Sequence, residues 1–253
     1  MTTATTGRSA RLNWGDGAAA LAAIGVGAFG AFSYYGDTIL RPFAHTFGIW
    51  IFLVAVVSAR QTLLRAALRG AGALLISVVA FFYGKQIYYD ILYPGPGFPY
   101  RVQPIELLFW GLLGMLGGAV LGVIASRIGR PGWIPAGASA LLMGLLLADA
   151  YRWYDTWTED LPMAAAFVGV IAIAALGQRT WRQIGYTAVL LVPGTVVGYL
   201  LVSAPDWRNA CSGSESVHSS TSQSDSALGR RGVNHVQLSL RFTATPVVLN
   251  QGG

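Results

Sequence analysis

The chain reads as an all-α integral membrane protein, a bundle of about seven transmembrane helices with its N-terminus cytoplasmic and its C-terminus outside. Three observations carry this reading. Seven apolar stretches follow one another, at 17–35, 43–59, 71–92, 104–126, 134–150, 162–178 and 185–203. Apolar segments of about 17–25 residues are long enough to cross a hydrocarbon core of about 30 Å as helices. Basic residues collect in alternate gaps, and only 11% of residues are charged while mean hydropathy is +0.52. Such a composition suits a chain solvated mainly by lipid.

The charges set the orientation. One set of gaps holds Arg8, Arg11, Arg60, Arg65, Arg69, Arg127, Arg130, Arg179 and Arg182, with Asp16 as the only nearby acid. The other set, up to Ser203, holds Arg41, Lys85, Arg101 and Arg152 together with seven acids. Basic residues in short loops are retained on the cytoplasmic side, and acids count little. The positive net charge of +6 does not indicate nucleic-acid binding. The basic residues sit at helix ends rather than in one stripe with interleaved polar residues. Anionic lipid headgroups are the partners this placement fits.

The first span carries Ala23, Gly27 and Ala31 at intervals of four, and ends in Tyr34, Tyr35 and Asp37. Its basic flank also permits a signal peptide, but its apolar run is long for one. The second span is a plain apolar run up to Arg60. The third starts near Gly70 and ends in Tyr88, Tyr89 and Asp90. The loop after it, 93–101, alternates proline and glycine; it reads as a tight connection or as a cap over the mouth of the bundle. The fourth span carries Gly114, Gly118, Gly122 and Ser126 on one face, and the fifth carries Ala140, Gly144 and Ala148. Small residues let helices in lipid approach closely. Packing inside the bundle is one reading of the fourth face; a homo-oligomer or a membrane partner subunit is the sharper one. The fifth span ends in Asp149, Tyr151, Arg152, Tyr154 and Asp155. The sixth has no distinguishing residue. The seventh contains Pro193 beside Gly194, where a kink is expected because proline removes a backbone donor.

Three regions follow: a cytoplasmic segment at 1–13, a membrane domain at 14–203, and an extracytoplasmic tail at 204–253. The tail is serine-rich at 211–225 and too poor in apolar residues to offset its ordering entropy. The alternating piece at 233–242 is too short and isolated for a stable sheet. Cys211 is the only cysteine, which rules out an internal disulfide and a cysteine-pair metal site.

No catalytic or cofactor motif stands. The run from Gly25 to Gly30 spells G-x-G-x-x-G, but it lies inside a span rather than between a strand and a helix. His45, His218 and His235 have no partners at metal-ligand spacing. No cofactor and no metal are expected.

Two charged residues lie deeper than an interfacial belt requires. Lys85 is fifteen residues beyond Gly70 and Asp149 fifteen beyond Ile134, each about 22 Å up its helix. Ionisable groups at such depth face the interior or pair with one another. Lys85 and Asp149 therefore form a candidate pair in a polar outer cavity, with Asp90 as an alternative partner for Lys85. Snorkelling of the lysine to the headgroups is the competing account. Tyr34, Tyr35, Asp37, Tyr88, Tyr89, Tyr151 and Asp155 make an acidic, aromatic outer rim, which an ordinary aromatic belt also explains.

In its alanine, glycine and arginine usage, its short loops such as Ser58-Ala59-Arg60 and its aromatic helix end Tyr88-Tyr89, the stretch 14–203 resembles small polytopic proteins of high-GC bacteria whose function is undefined. The resemblance implies a multi-pass protein of the bacterial plasma membrane and brings no active-site residues. Three classes stay open: transport of a small solute or ion through the outer cavity, a non-catalytic scaffold or accessory subunit, and an enzyme acting on lipid at the outer leaflet.

Overall fold

In a computed structural model, the described residues are 14–35, 40–94, 101–157, 160–177 and 180–213. The described residues up to 208 belong to one compact unit. Among the described residues the chain is all-helical, with seven α-helices: α1 Trp14–Tyr35, α2 Gly48–Ser58, α3 Leu63–Leu92, α4 Pro104–Ala125, α5 Trp133–Trp157, α6 Leu161–Gly177 and α7 Trp181–Gly213. Five of them, α1, α3, α4, α5 and α7, are long and apolar enough to cross a membrane. In hydrocarbon a helix satisfies its backbone internally, which is why each uninterrupted apolar run folds this way.

The second apolar segment departs from expectation. Only eleven residues of it are α-helical, a length of about 16 Å. A short 3-10 turn, Arg41–Ala44, precedes the helix, with Pro42 at its start. At the other end the backbone leaves the helix at Ala59 (φ −54°, ψ 139°) and turns through Arg60 at φ 60°. With seventeen residues, α6 spans about 25 Å. Helix α7 runs unbroken through Pro193, and Thr195 Oγ1 donates to the Leu191 carbonyl at 2.9 Å. It also continues past the apolar segment to Gly213, so the first ten residues of the expected tail are helical. The other parts of the tail, the 1–13 segment, Asp37 and most of the 93–101 loop lie outside the described residues.

Helix starts follow local chemistry. Pro104 opens α4 after an extended Gln103, the position where a missing N–H costs nothing. Thr180 Oγ1 accepts the Gln183 N–H at 3.3 Å and caps α7. Gln183 Nε2 reaches across instead to the Arg130 carbonyl at 2.9 Å.

Within the compact unit, α3 lies between α1 and α4, and α5 packs against α6 and α7. Helix α2 bridges the two groups. Its Leu53 packs with Ala23 and Ala73, while its Ile51 and Ala55 join the cluster around Leu142, Leu146 and Ile173. The close crossings are made of small residues. A Cβ on Gly118 would collide with the Gly70 carbonyl, and one on Gly122 with the Ala66 carbonyl. A Cβ on Gly114 would come within 3.3 Å of Val78. The glycine face of α4 is thus covered by α3 of the same chain. On α1, a Cβ on Gly27 would collide with the Ser77 carbonyl of α3. Between α5 and α7 the contact is Gly144 against Gly194, and a Cβ on Gly198 would stand 3.1 Å from the Gly144 carbonyl.

The α1–α3 crossing also carries one hydrogen bond, from buried Ser77 Oγ to the Ala23 carbonyl at 2.9 Å. Interhelical hydrogen bonds in membranes average about 0.6 kcal/mol. Ser77→Ala is therefore expected to lower stability by less than about 1 kcal/mol, whereas Gly27→Val, which drives a side chain into backbone, costs clearly more. Thermal unfolding of the two variants in detergent checks the order.

The helix ends sort by chemistry. At one end Asp16 of α1 pairs with Arg65 and Arg69 of α3, its Oδ1 accepting from Arg69 Nε at 2.7 Å. There Arg60 donates to the Leu176 carbonyl at the end of α6 (2.7 Å), and Arg130 to the Gln61 carbonyl (3.2 Å). Cations at helix C-termini satisfy free carbonyls and complement the dipole. The opposite end is aromatic.

Candidate functional site

At the aromatic end the rings meet in several groups. Tyr34 and Tyr35 finish α1 with centroids 5.1 Å apart, and Tyr35 meets Tyr89 of α3 at 6.2 Å. Tyr88 lies edge-on to Phe32 at 5.4 Å, and Tyr151 to Tyr199 at 6.0 Å. Asp90 and Asp155 are exposed on this end. Tyr34, Tyr35, Tyr88 and Tyr89 therefore share one patch, and Tyr151 sits in another with α7.

Lys85 and Asp149 do not meet. Half-buried Lys85 places Nζ over the Tyr34 ring, 3.9 Å from its centroid, and 5.5 Å from that of Phe81. This is a cation–π arrangement. Tyr34 in turn lies 5.5 Å from His45, and His45 stacks on Trp153 at 5.5 Å with the planes 11° apart. Trp153 is one turn beyond Asp149. The two charges are joined through aromatic rings rather than by an ion pair. The pairing expected from equal depth overlooked that α3 and α5 are separated by the chain entering α2.

Asp149 is 1% exposed, and its partner is a backbone group. Its Oδ2 accepts the Gly48 N–H at 2.9 Å, at the first residue of α2. The first N–H groups of a helix have no internal partner and carry the positive end of its dipole. A carboxylate there stabilises the start of α2. The reason α2 begins at Gly48 follows: the apolar run alone would permit an earlier start, but the acceptor sits here. Arg152 Nη2 lies 3.8 Å from Asp149 Oδ1, and Arg152 Nη1 donates to the Val202 carbonyl of α7 at 3.5 Å. Asp149 Oδ1 has no hydrogen-bond partner among the described residues.

The carboxylate lines a cavity of about 200 Å³ between the segment entering α2, α5 and α6. Its walls are otherwise largely apolar, including Phe43, Phe52, Leu146, Ala165 and Val168, with Thr46 as a second polar side chain. Thr46 Oγ1 faces its own chain, 3.4 Å from the Phe43 carbonyl. A site with one buried acid in apolar walls can hold a cation, or a ligand that offers a hydrogen-bond donor. Among the described residues no three metal-binding side chains converge.

Of the residues singled out in the sequence, Asp149 lies in this cavity, while Lys85 and Asp90 belong to the aromatic end on α3. The cavity residues missed were Gly48, Phe43, Phe52 and Thr46, together with Arg152 beside it. Only Arg152 left a readable signal, as the i+3 neighbour of Asp149 on one helix face. Because Lys85 and Asp149 share no contact, Lys85→Met and Asp149→Asn are expected to act additively. A double-mutant cycle on thermal stability should return a coupling within about 0.5 kcal/mol. A larger coupling would show that the two charges interact directly.

The chain belongs to a family of unknown function (DUF6518), whose profile matches residues 7–206. No curated protein and no solved structure matches the chain significantly.

Proposed function

We propose that this chain is a multi-pass plasma-membrane protein of bacteria that moves a small solute or ion, with Asp149 as the group that binds it. The observation that carries the reading is the buried Asp149 carboxylate, set in a cavity at the N-terminus of a helix only eleven residues long. Secondary transporters place their sites where a discontinuous helix ends inside the membrane, with the half-helix terminus turned toward charge. An ionisable group at membrane depth is costly and marks ion or solute pathways. In this reading the Arg41–Ala44 turn and α2 together make one broken crossing, α6 makes another, and seven crossings leave the arginine-rich end cytoplasmic.

A scaffold has less support, because the glycine face it would offer on α4 is covered by α3. A lipid-modifying enzyme has less again. Asp149 is the only carboxylate among the cavity-lining residues, and Asp90 and Asp155 are exposed.

The test is charge displacement across proteoliposomes adsorbed on a solid-supported membrane, perfused in turn with protons, sodium, potassium and small organic cations and zwitterions. At least one should evoke a current in the wild type that Asp149→Asn removes. Silence with all of them, from protein verified as folded and inserted, would overturn the transport reading. The orientation is tested separately. A membrane-impermeant maleimide is expected to label Cys211 in intact cells. Labelling only after lysis would remove the odd number of crossings.

A further inference from the structure

We infer that the Asp149 cavity takes a small lipophilic primary ammonium, arriving from the side of the bundle. The inference deepens the transport reading and rests on the cavity being the binding site.

Three features of the cavity point to this class. The first is an unmet acceptor. Asp149 is 1% exposed, and its Oδ2 is satisfied by the Gly48 N–H, but its Oδ1 has no hydrogen-bond partner among the described residues. The nearest cation, Arg152 Nη2, stands off at 3.8 Å while Nη1 is engaged by the Val202 carbonyl. A buried polar atom left unpaired is costly, and a charged donor on a ligand satisfies it best. The Gly48 amide at the start of α2 already has an acceptor, so an anionic ligand would meet the carboxylate without that compensating donor.

The second feature is the wall. Phe43 and Phe52 put two aromatic rings among largely aliphatic side chains. Aromatic faces attract ammonium groups, and the rest of the wall rewards an apolar body. An inorganic cation would gain only one carboxylate and no further built shell. The volume, about 200 Å³, exceeds an apolar cavity of about 150 Å³ known to admit benzene. It suits one aromatic ring with a short aminoalkyl arm.

The third feature is the opening. Val168 lines the cavity, yet it is 67% exposed on α6. It lies seven residues into α6, about 10 Å below the aromatic end. The cavity therefore opens on the flank of the bundle, between the start of α2 and α6, at a level where a spanning bundle is surrounded by lipid. Amphipathic amines partition into that zone.

Calorimetry on the full chain in nanodiscs, with empty nanodiscs as the lipid-partition control, tests the inference. The probes are 2-phenylethylamine, 2-phenylethanol and phenylacetate. The wild type should bind the amine saturably, about tenfold or more tighter than the alcohol, and bind no phenylacetate. Asp149→Asn should bring the amine down to the level of the alcohol. Should Asp149→Asn fail to fold, Ala165→Leu, which fills the cavity without touching the carboxylate, should remove binding of both. Equal affinity for amine and alcohol overturns the inference, as does amine binding that survives Ala165→Leu or matches empty nanodiscs. Charge displacement in proteoliposomes without amine binding overturns this ligand class and leaves the transport reading standing. Amine binding without any displacement upholds the site and removes transport.

Discussion

Gly118→Leu is expected to abolish recovery of folded protein, while Gly117→Leu, one residue away, leaves it unchanged. The contrast comes from what each side chain would meet. At Gly118 a Cβ collides with the Gly70 carbonyl and comes 2.7 Å from its carbonyl carbon and 3.0 Å from the Ala71 nitrogen; at Gly117 nothing lies within 4 Å. Side chains can change rotamer to admit an extra methylene, but a carbonyl inside a helix cannot move without displacing the helix. In lipid, close approach is also what makes helices associate, because apolar burial offers no advantage over lipid tails. Prising α3 from α4 therefore loses dispersion contacts along the whole crossing. The cost should be about 3 kcal/mol or more, at the upper end for overpacking. Fluorescence-detected size-exclusion chromatography and the thermal midpoint in detergent read it. Equal behaviour of the two variants would mean that the α3–α4 crossing is not as close as described. A change of assembly state in folded Gly118→Leu would restore the oligomer reading of this face.

Asp149→Leu should destabilise the bundle more than Asp149→Asn. Leucine removes the acceptor from the Gly48 N–H at the start of α2 and the negative charge near Arg152. Both variants lose the negative charge, so the difference lies in the Gly48 N–H, which leucine leaves without an acceptor at a cost of about 1–3 kcal/mol. Asparagine keeps an oxygen for Gly48 and a similar volume, so it avoids that cost. Thermal midpoints give the order. Local loosening gives the mechanism: hydrogen exchange of the first turn of α2 should rise in the leucine variant before that of α3 or α4. Similar exchange in both variants would show that Asp149 does not hold the start of α2.

Asp149 was legible as a candidate cavity residue, but without its neighbours. Its depth along an apolar helix marked it, since an ionisable group there has no cheap explanation. Its partner was not legible, because the Gly48 amide is a backbone group 101 residues away in the chain. Equal depth suggested Lys85 instead. Depth is one coordinate of three, and the aromatic rings of Tyr34, His45 and Trp153 occupy the space between the two helices. The role of His45 was equally hidden. As a lone histidine it has no spacing to read, and its stacking on Trp153 depends on where the Arg41–Ala44 turn sets the chain down.

The small-residue faces were legible as faces, through their repeat of four, but not their destinations. Gly118 and Gly122 meet α3, Gly144 meets α7 and Gly27 meets α3. A stripe announces that a backbone will come close without saying whose. The sequence by itself determined the all-helical class, the apolar runs that become the helices, the concentration of arginines in alternate gaps, and which faces pack closely. These rest on hydropathy, charge and residue size, which act residue by residue. The structure makes five of the seven runs long enough to cross a membrane. Only the tertiary structure decided that the second apolar run becomes a helix of eleven residues, that its first amide meets Asp149, and that a cavity opens beside them. Those outcomes depend on a hydrogen bond between helices distant in sequence, and the free energy of such a bond has no local trace in either segment.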